Sequence, residues 1–265
     1  MHLEVLTVKP KQPTQKAPIL FVHGMWHTAL CWEENFLPYF AEKGYPTYAL
    51  SLRGHGKSEG RKNLRWTRMH DYVADVVSVV TEQIGEKPIL VGHSMGGMVV
   101  QKYLESQQCQ CAILLTPVPP QGILGPTLRV MQRYPIAFAK ANLTLSMYPI
   151  VGTLERCQEV LFSSTIPQEK LQKYFGQLQD ESYLAYLDMI LIDLPKHKKG
   201  FVTDMLVLGA SNDAAISVAE VQATAEFYAA ELKIFPDMAH NLMLEENWQN
   251  VADTMLAWLE RKNLH

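Results

Sequence analysis

Cysteine is scarce in this chain, with four residues in 265, and the four follow no disulfide or metal-binding pattern. Cys31 and Cys157 are isolated, and Cys109 and Cys111 have no second Cys or Cys/His pair at the spacing of a zinc site. The composition therefore predicts free thiols, no structural metal and a reducing compartment, which fits a cytoplasmic location.

Strong charge and long apolar runs are also missing. The formal net charge is −3, so no basic surface predicts binding to nucleic acid or to an anionic membrane. The first residues, MHLEVLTVKPKQ, contain no apolar signal core, and no apolar run reaches membrane-spanning length. We expect no stable membrane insertion, and the pattern does not set the oligomeric state.

Short apolar segments alternate with helical patterns along most of the chain. At 265 residues the chain is long enough for one large α/β domain. This alternation predicts a mainly parallel, twisted sheet with helices on both faces. The predicted strands are His2–Val8, Ile19–Val22, Thr47–Leu52, the run from Ile89, Cys111–Leu115, Met205–Leu208 and Leu232–Phe235.

The alternation is interrupted between residues 117 and 200, where eight prolines lie among helical pieces and no strand pattern is present. We expect a helical cap inserted after the strand Cys111–Leu115. The predicted division is a first core part at 1–117, a cap or lid at 118–200 and a second core part at 201–265.

The run ILVGHSMGG, from Ile89 to Gly97, has the pattern of a buried strand, a tight turn and a helix start. A serine becomes a useful nucleophile when a sharp turn lifts its hydroxyl clear of the backbone toward a base. Gly92 and Gly96 leave room for such a turn around Ser94. We therefore predict Ser94 as the nucleophile; the alternative is a glycine-rich turn in which Ser94 only caps the helix.

The base should lie on a loop at the carboxyl end of a parallel strand, where the working residues of such sheets lie. His240 follows the last predicted strand and is the best candidate among nine histidines. His93 is a poor base for Ser94, because adjacent side chains around a sharp turn point apart. The remaining histidines near strand ends are His23, His27 and His55.

The base needs a carboxylate to orient it, again at a strand end. Asp213 follows the strand Met205–Leu208, although an Asn-Asp pair is also common in simple turns. Asp204 precedes that strand and lies at the wrong end, and Asp237 is the reserve candidate. Two backbone N–H groups should hold the developing oxyanion, one from Met95 after the nucleophile and one from Met25.

Five segments together resemble the α/β-hydrolase superfamily, and most closely its capped serine esterases, such as lysophospholipases and monoacylglycerol lipases. The segments are FVHGMWH…W at Phe21–Trp32, RGHGKSEG at Arg53–Gly60, GHSMGG at Gly92–Gly97, LGASND at Leu208–Asp213 and AHN at Ala239–Asn241.

This resemblance implies Ser94 as nucleophile, Asp213 as acid, His240 as base, and oxyanion N–H groups from Met25 and Met95. The chain order serine, acid, histidine is the order of that fold. One departure is Ser51, where many relatives have an aspartate. We expect the Arg53–Gly60 loop to be a structural turn, because it lacks the spacing of a phosphate-binding loop.

The predicted reaction is hydrolysis of carboxylic esters with an apolar acyl or alcohol part through an acyl-enzyme, without cofactor or metal. The expected partner is a small, apolar ester substrate. Alternatives on the same three residues are thioester hydrolysis, acyl transfer, C–C hydrolysis and cofactor-free haloperoxidation. A further alternative is a non-catalytic ligand receptor that keeps this fold, against which the complete set of three residues argues. A structural or interaction protein would have no need of the three residues in this order.

Overall fold

The computed structural model describes residues 1–196 and 203–262. Within them, seven strands form one sheet in the order β1-β3-β2-β4-β5-β6-β7. The strands are β1 Val5–Val8, β2 Ile19–Val22, β3 Thr47–Leu50, β4 Ile89–His93, β5 Cys111–Leu115, β6 Met205–Ala210 and β7 Glu231–Phe235.

The sheet is parallel except for β1, which pairs antiparallel with β3 at one edge. Every residue of β2, β4 and β5 is buried, which accounts for their continuous apolar sequences. Helices cover the sheet, so the predicted α/β architecture with a mainly parallel twisted sheet is confirmed.

Eleven α-helices lie in the described parts of the chain. They are α1 Leu30–Glu33, α2 Phe36–Glu42, α3 Met69–Val79, α4 Met95–Tyr103, α5 Leu124–Arg133, α6 Pro135–Thr144, α7 Leu154–Leu161, α8 Gln168–Phe175, α9 Tyr183–Leu187, α10 Val218–Tyr228 and α11 Trp248–Arg261. None of these helices combines the length and the apolar character that a bilayer crossing requires.

Five of the helices, α5 to α9, lie between β5 and β6, in the segment predicted to be a cap. A 3₁₀ turn at Tyr148–Ile150 and a π-helical turn at Asp188–Ile192 complete this inserted helical segment. No strand lies in its described part, residues 118–196. The predicted boundary between residues 200 and 201 falls outside the described residues.

The first strand is shorter than predicted and begins at Val5 rather than His2. The preceding residues pair with the Arg53–Gly60 loop and its approach instead of with a strand. The carbonyl of His2 accepts a hydrogen bond from the Glu59 N–H, and the carbonyl of Glu4 accepts one from Ser51. A period-two pattern cannot distinguish these two partners.

The strand before Asp213 is longer than predicted, because β6 continues past Leu208 to Ala210. Gly209 and Ala210 remain in register with the last two residues of β7. The extension brings the loops after β6 and β7 to the same edge of the sheet. The Asn212 N–H then donates to the carbonyl of Met238 at 2.9 Å, which joins the two loops.

Candidate active site

Ser94 lies at a sharp turn between β4 and α4, in a backbone conformation that non-glycine residues rarely adopt (φ 52°, ψ −118°). A Cβ atom at Gly92 would lie 2.5 Å from the carbonyl oxygen of Gly96, and one at Gly96 would lie 2.3 Å from that of Val22. Only glycine fits at both positions. The predicted strand, turn and helix around Ser94 are therefore present, and the strain is held by close backbone packing.

His240 and Asp213 meet at the carboxyl end of the sheet. His240 Nδ1 lies 2.8 Å from Asp213 Oδ2, and the Asp213 side chain has no exposed area. The other carboxylate oxygen, Oδ1, accepts from the backbone N–H groups of Ala215 and Ile216 at 2.8 and 2.9 Å. Since an ionised carboxylate only accepts, Nδ1–H donates and Nε2 is left as the acceptor that a general base requires.

Two buried side chains fix the backbone of His240. The Thr116 hydroxyl donates to its carbonyl at 2.9 Å, and the His93 Nε2–H donates to the same oxygen at 3.1 Å. Thr116 follows β5 directly and has a positive φ of 40°. Sequence reasoning missed Thr116; its position at a strand end was the available signal. Burial and the neighbouring His240 hold the pKa of His93 well below its usual range, so it donates as a neutral ring.

The other two carboxylates considered for the acid lie elsewhere. Asp237 is exposed, in a turn with φ 57°. Asp204 lies at the opposite end of β6, where it pairs with Lys262 at 2.8 Å. Of the three carboxylates, Asp213 is therefore the one in contact with His240.

Met25 and Met95, the residues predicted to supply the oxyanion N–H groups, both lie near Ser94 in the chain or in space. Met95 is the first residue of α4, where helix geometry leaves the N–H without an intrahelical partner. Met25 follows Gly24, where a Cβ atom would lie 2.8 Å from the Ser94 Cβ. Within the described residues, neither N–H is used in a hydrogen bond. Both N–H groups are thus without a protein acceptor in the part of the chain that the structure describes.

His23 and His27 have structural partners. His23 Nε2 accepts from the Leu52 N–H at 3.1 Å, and His27 contacts the Asn241 side-chain oxygen at 3.2 Å. Burial lowers the pKa of both rings, that of His27 to about 4. They are therefore neutral near pH 7 and serve packing.

The Arg53–Gly60 loop is held by internal contacts rather than arranged around a ligand. Arg53 pairs with the buried Asp75 at 2.7 Å, and His55 lies 3.2 Å from Glu181 of the inserted helical segment. Ser51 occupies the position where many relatives have an aspartate, and its hydroxyl donates to the Glu4 carboxylate at 2.8 Å. A carboxylate from the N-terminal segment thus reaches the region where relatives have an aspartate.

A cavity lies beside Ser94 and is lined by Met25, Ser94 and His240 from the sheet edge. Most of its remaining wall comes from apolar side chains of the inserted helical segment, and no charged side chain lines it. These apolar side chains include Ile123, Val130, Phe138, Met147, Ile150 and Val160. The cavity therefore suits an uncharged, apolar group.

A mainly parallel sheet with helices on its faces and a serine at a strained strand-to-helix turn defines an α/β-hydrolase type of protein. The chain belongs to the alpha/beta hydrolase family, whose model matches residues 19–254. The resemblance drawn from the five sequence segments is thus confirmed for the family.

Relatives with known names span several activities. A non-heme chloroperoxidase of Burkholderia pyrrocinia is 24% identical, over 94% of this chain and 93% of its own. A monoacylglycerol lipase of Mycolicibacterium smegmatis is 22% identical, over 83% of this chain and 80% of its own. An esterase structure from Exiguobacterium antarcticum superposes with a TM-score of 0.74 at 17% identity, over 97% and 95% of the two chains. These likenesses support an enzyme.

Proposed function

We propose that this protein is a serine hydrolase that cleaves carboxylic esters with an apolar acyl or alcohol part, through Ser94, His240 and Asp213. The observation that carries the proposal is the buried Asp213–His240 hydrogen bond beside a strained Ser94, with both Ser94 and His240 lining one apolar cavity. The esterase and lipase named among its relatives agree with this class.

In the proposed reaction, His240 Nε2 takes the Ser94 proton as the hydroxyl oxygen attacks the ester carbonyl. The N–H groups of Met25 and Met95 stabilise the negative oxygen that forms. His240 then gives its proton to the leaving alcohol, which produces an acyl-enzyme. Water repeats the sequence and releases the acid, while Asp213 keeps the imidazole in the required tautomer throughout.

The cavity supports the choice of an apolar ester. Without a lysine or arginine in its wall, a charged acyl chain would lose hydration and gain no partner. We assign residues 118–200 as a cap because much of the apolar wall comes from helices α5 and α6 and the turn near Met147. Esters with medium apolar chains are the substrates we expect.

The direct test is hydrolysis of p-nitrophenyl esters of increasing chain length by the wild type and by Ser94→Ala. We expect turnover to rise with chain length to a maximum and to fall by about 10⁴-fold or more in the variant. Turnover that survives in Ser94→Ala would reject the nucleophile. Absence of turnover with every ester would reject esterase function.

The acid assignment has a matched pair of variants in Asp213→Asn and Asp237→Asn. Asparagine at 213 can present its amide to His240 and favour the wrong tautomer, so we expect kcat to fall by about 10⁴-fold. Asp237 is exposed, so its replacement should leave kcat within about twofold of wild type. Equal effects of the two substitutions would contradict Asp213 as the orienting acid.

A second candidate reaction is perhydrolysis, favoured by the similarity to a non-heme chloroperoxidase over nearly the whole chain. Hydrogen peroxide would replace water as the attacking group on the acyl-enzyme, which yields a peracid and regenerates the Ser94 hydroxyl. In the test, acetic acid would acylate Ser94 with loss of water, and the peracetic acid formed would oxidise bromide to a species that brominates a dye while acetic acid is regenerated. Bromination by the wild type but not by Ser94→Ala would support this reaction.

A further inference from the structure

The cavity wall contains two hydroxyl groups that play no part in the proposed chemistry. Thr127 lies on α5 and Tyr186 on α9, and both line the cavity that Ser94 and His240 line. The Tyr186 hydroxyl donates to the Thr127 hydroxyl oxygen at 3.3 Å. The two residues join distant parts of the inserted helical segment across an otherwise apolar surface.

Counting hydrogens shows that this pair is incomplete. Two hydroxyl groups carry two hydrogens, and the bond between them uses one. Neither hydroxyl has another partner within residues 1–196 and 203–262, so one O–H donor is left over. The other non-catalytic polar group in the wall, the Trp26 indole N–H, already donates to the Met147 carbonyl.

The leftover donor is neutral, which limits what it can bind. Burial raises the pKa of the Tyr186 hydroxyl, so the phenol remains protonated. No charged side chain lines the cavity, and a carboxylate or phosphate would therefore lack a counter-charge there. A neutral oxygen, such as that of an ether or a ketone, can accept the hydrogen bond without bringing charge into the cavity.

We propose that the Thr127–Tyr186 hydroxyl pair is a specificity element that selects esters carrying a second, neutral oxygen acceptor in their apolar part. This inference rests on the proposed esterase function and names the substrate class within it. A plain hydrocarbon chain would leave the donor unpaired, whereas a chain with one oxygen at the right position satisfies it.

The test uses p-nitrophenyl esters of equal chain length in which one CH₂ is replaced by oxygen at successive positions. Each kcat/KM is divided by the rate of hydroxide hydrolysis, which removes the intrinsic reactivity of each ester. We expect the wild type to favour one oxygen position over the all-carbon ester by about fivefold. No preference at any position would overturn the inference.

Substitutions test whether the Thr127–Tyr186 pair causes this preference. Thr127→Val combined with Tyr186→Phe removes both hydroxyls at nearly constant volume and should abolish it, whereas Thr127→Ser should retain it. Tyr183→Phe is the matched control, because this tyrosine lies one turn away, donates to Asn142 and does not line the cavity. A preference that persists in the double variant would overturn the assignment to this pair.

Binding to Ser94→Ala separates the inference from the proposed function. Calorimetry with each oxygen-containing ester of the series and with the all-carbon ester measures Kd without turnover. Discrimination by Ser94→Ala alongside an inactive wild type would retain the specificity element and reject the esterase. Wild-type hydrolysis without discrimination in either measurement would retain the esterase and reject the specificity element.

Discussion

At the scale of single residues, the hydrogen bonds to the backbone oxygen of His240 hold the candidate base in place. Thr116 and His93 both donate to it, and both are buried. The imidazole can face Ser94 and Asp213 only if this part of the β7–α11 loop stays in place. Thr116 reaches it from the end of β5, in a positive-φ conformation that is unusual for a β-branched residue.

Thr116→Val should therefore affect both stability and turnover. Valine keeps the shape and removes the hydroxyl, so the unfolding free energy should fall by about 1 kcal/mol. Displacement of His240 should lower kcat about tenfold with little change in KM. Urea unfolding and ester hydrolysis measure the two effects.

Thr224→Val is the matched control, because the buried Thr224 hydroxyl donates to the Glu220 carbonyl within α10, at 2.9 Å. It should cost similar stability and leave kcat unchanged, while Thr116→Ser should restore kcat. A loss of kcat that is equal in the two valine variants would reduce Thr116 to a purely structural residue.

At the scale of elements, the contact between β2 and the start of α4 sets the height of Ser94 above the sheet. The α4 backbone approaches the end of β2 so closely that a Cβ at Gly96 would lie 2.3 Å from the Val22 oxygen and 2.5 Å from the His23 oxygen. Backbone atoms on both sides cannot yield as a flexible side chain would.

Gly96→Ala should consequently lower the unfolding free energy by about 3 kcal/mol or more. Gly176, at the end of α8, has ordinary helical angles, and a Cβ there would meet its nearest atoms at 3.5 Å. Gly176→Ala should raise the unfolding free energy by about 0.5 kcal/mol, since it restricts the unfolded chain. Urea unfolding of both variants is the measurement, and similar values for the two would contradict the packing argument.

The secondary-structure elements also differ in how well the sequence predicts them and their contacts. Strands β2, β4 and β5 were predictable because buried parallel strands are continuous apolar runs. The candidates Ser94, Asp213 and His240 were chosen because they follow β4, β6 and β7 at the carboxyl edge of the sheet. The position of Thr116 at a strand end was visible in the sequence, but its partner was not, because that partner is a backbone oxygen 124 residues away. The Thr127–Tyr186 pair was hidden for the same reason, since no local pattern reports which helices of the inserted segment meet.

At the scale of the whole molecule, burial of neutral histidines couples folding to pH. His23, His27 and His93 all have a pKa lowered first of all by burial. In the unfolded chain each binds a proton as pH falls below about 6.5, whereas the folded protein does not until its lower pKa is reached. The unfolded state therefore binds more protons in this window, and stability falls as pH decreases through it.

His27 provides the sharpest case, because its folded pKa is about 4. Between pH 7 and pH 5 this one ring should remove about 2 kcal/mol from the unfolding free energy of the wild type. His27→Gln lacks the titrating group, so its urea-unfolding free energy should fall less over the same interval, by that amount. His70→Gln replaces an imidazole that is 71% exposed and should follow the wild-type curve. If His27→Gln also followed that curve, burial of His27 as a neutral ring would be wrong.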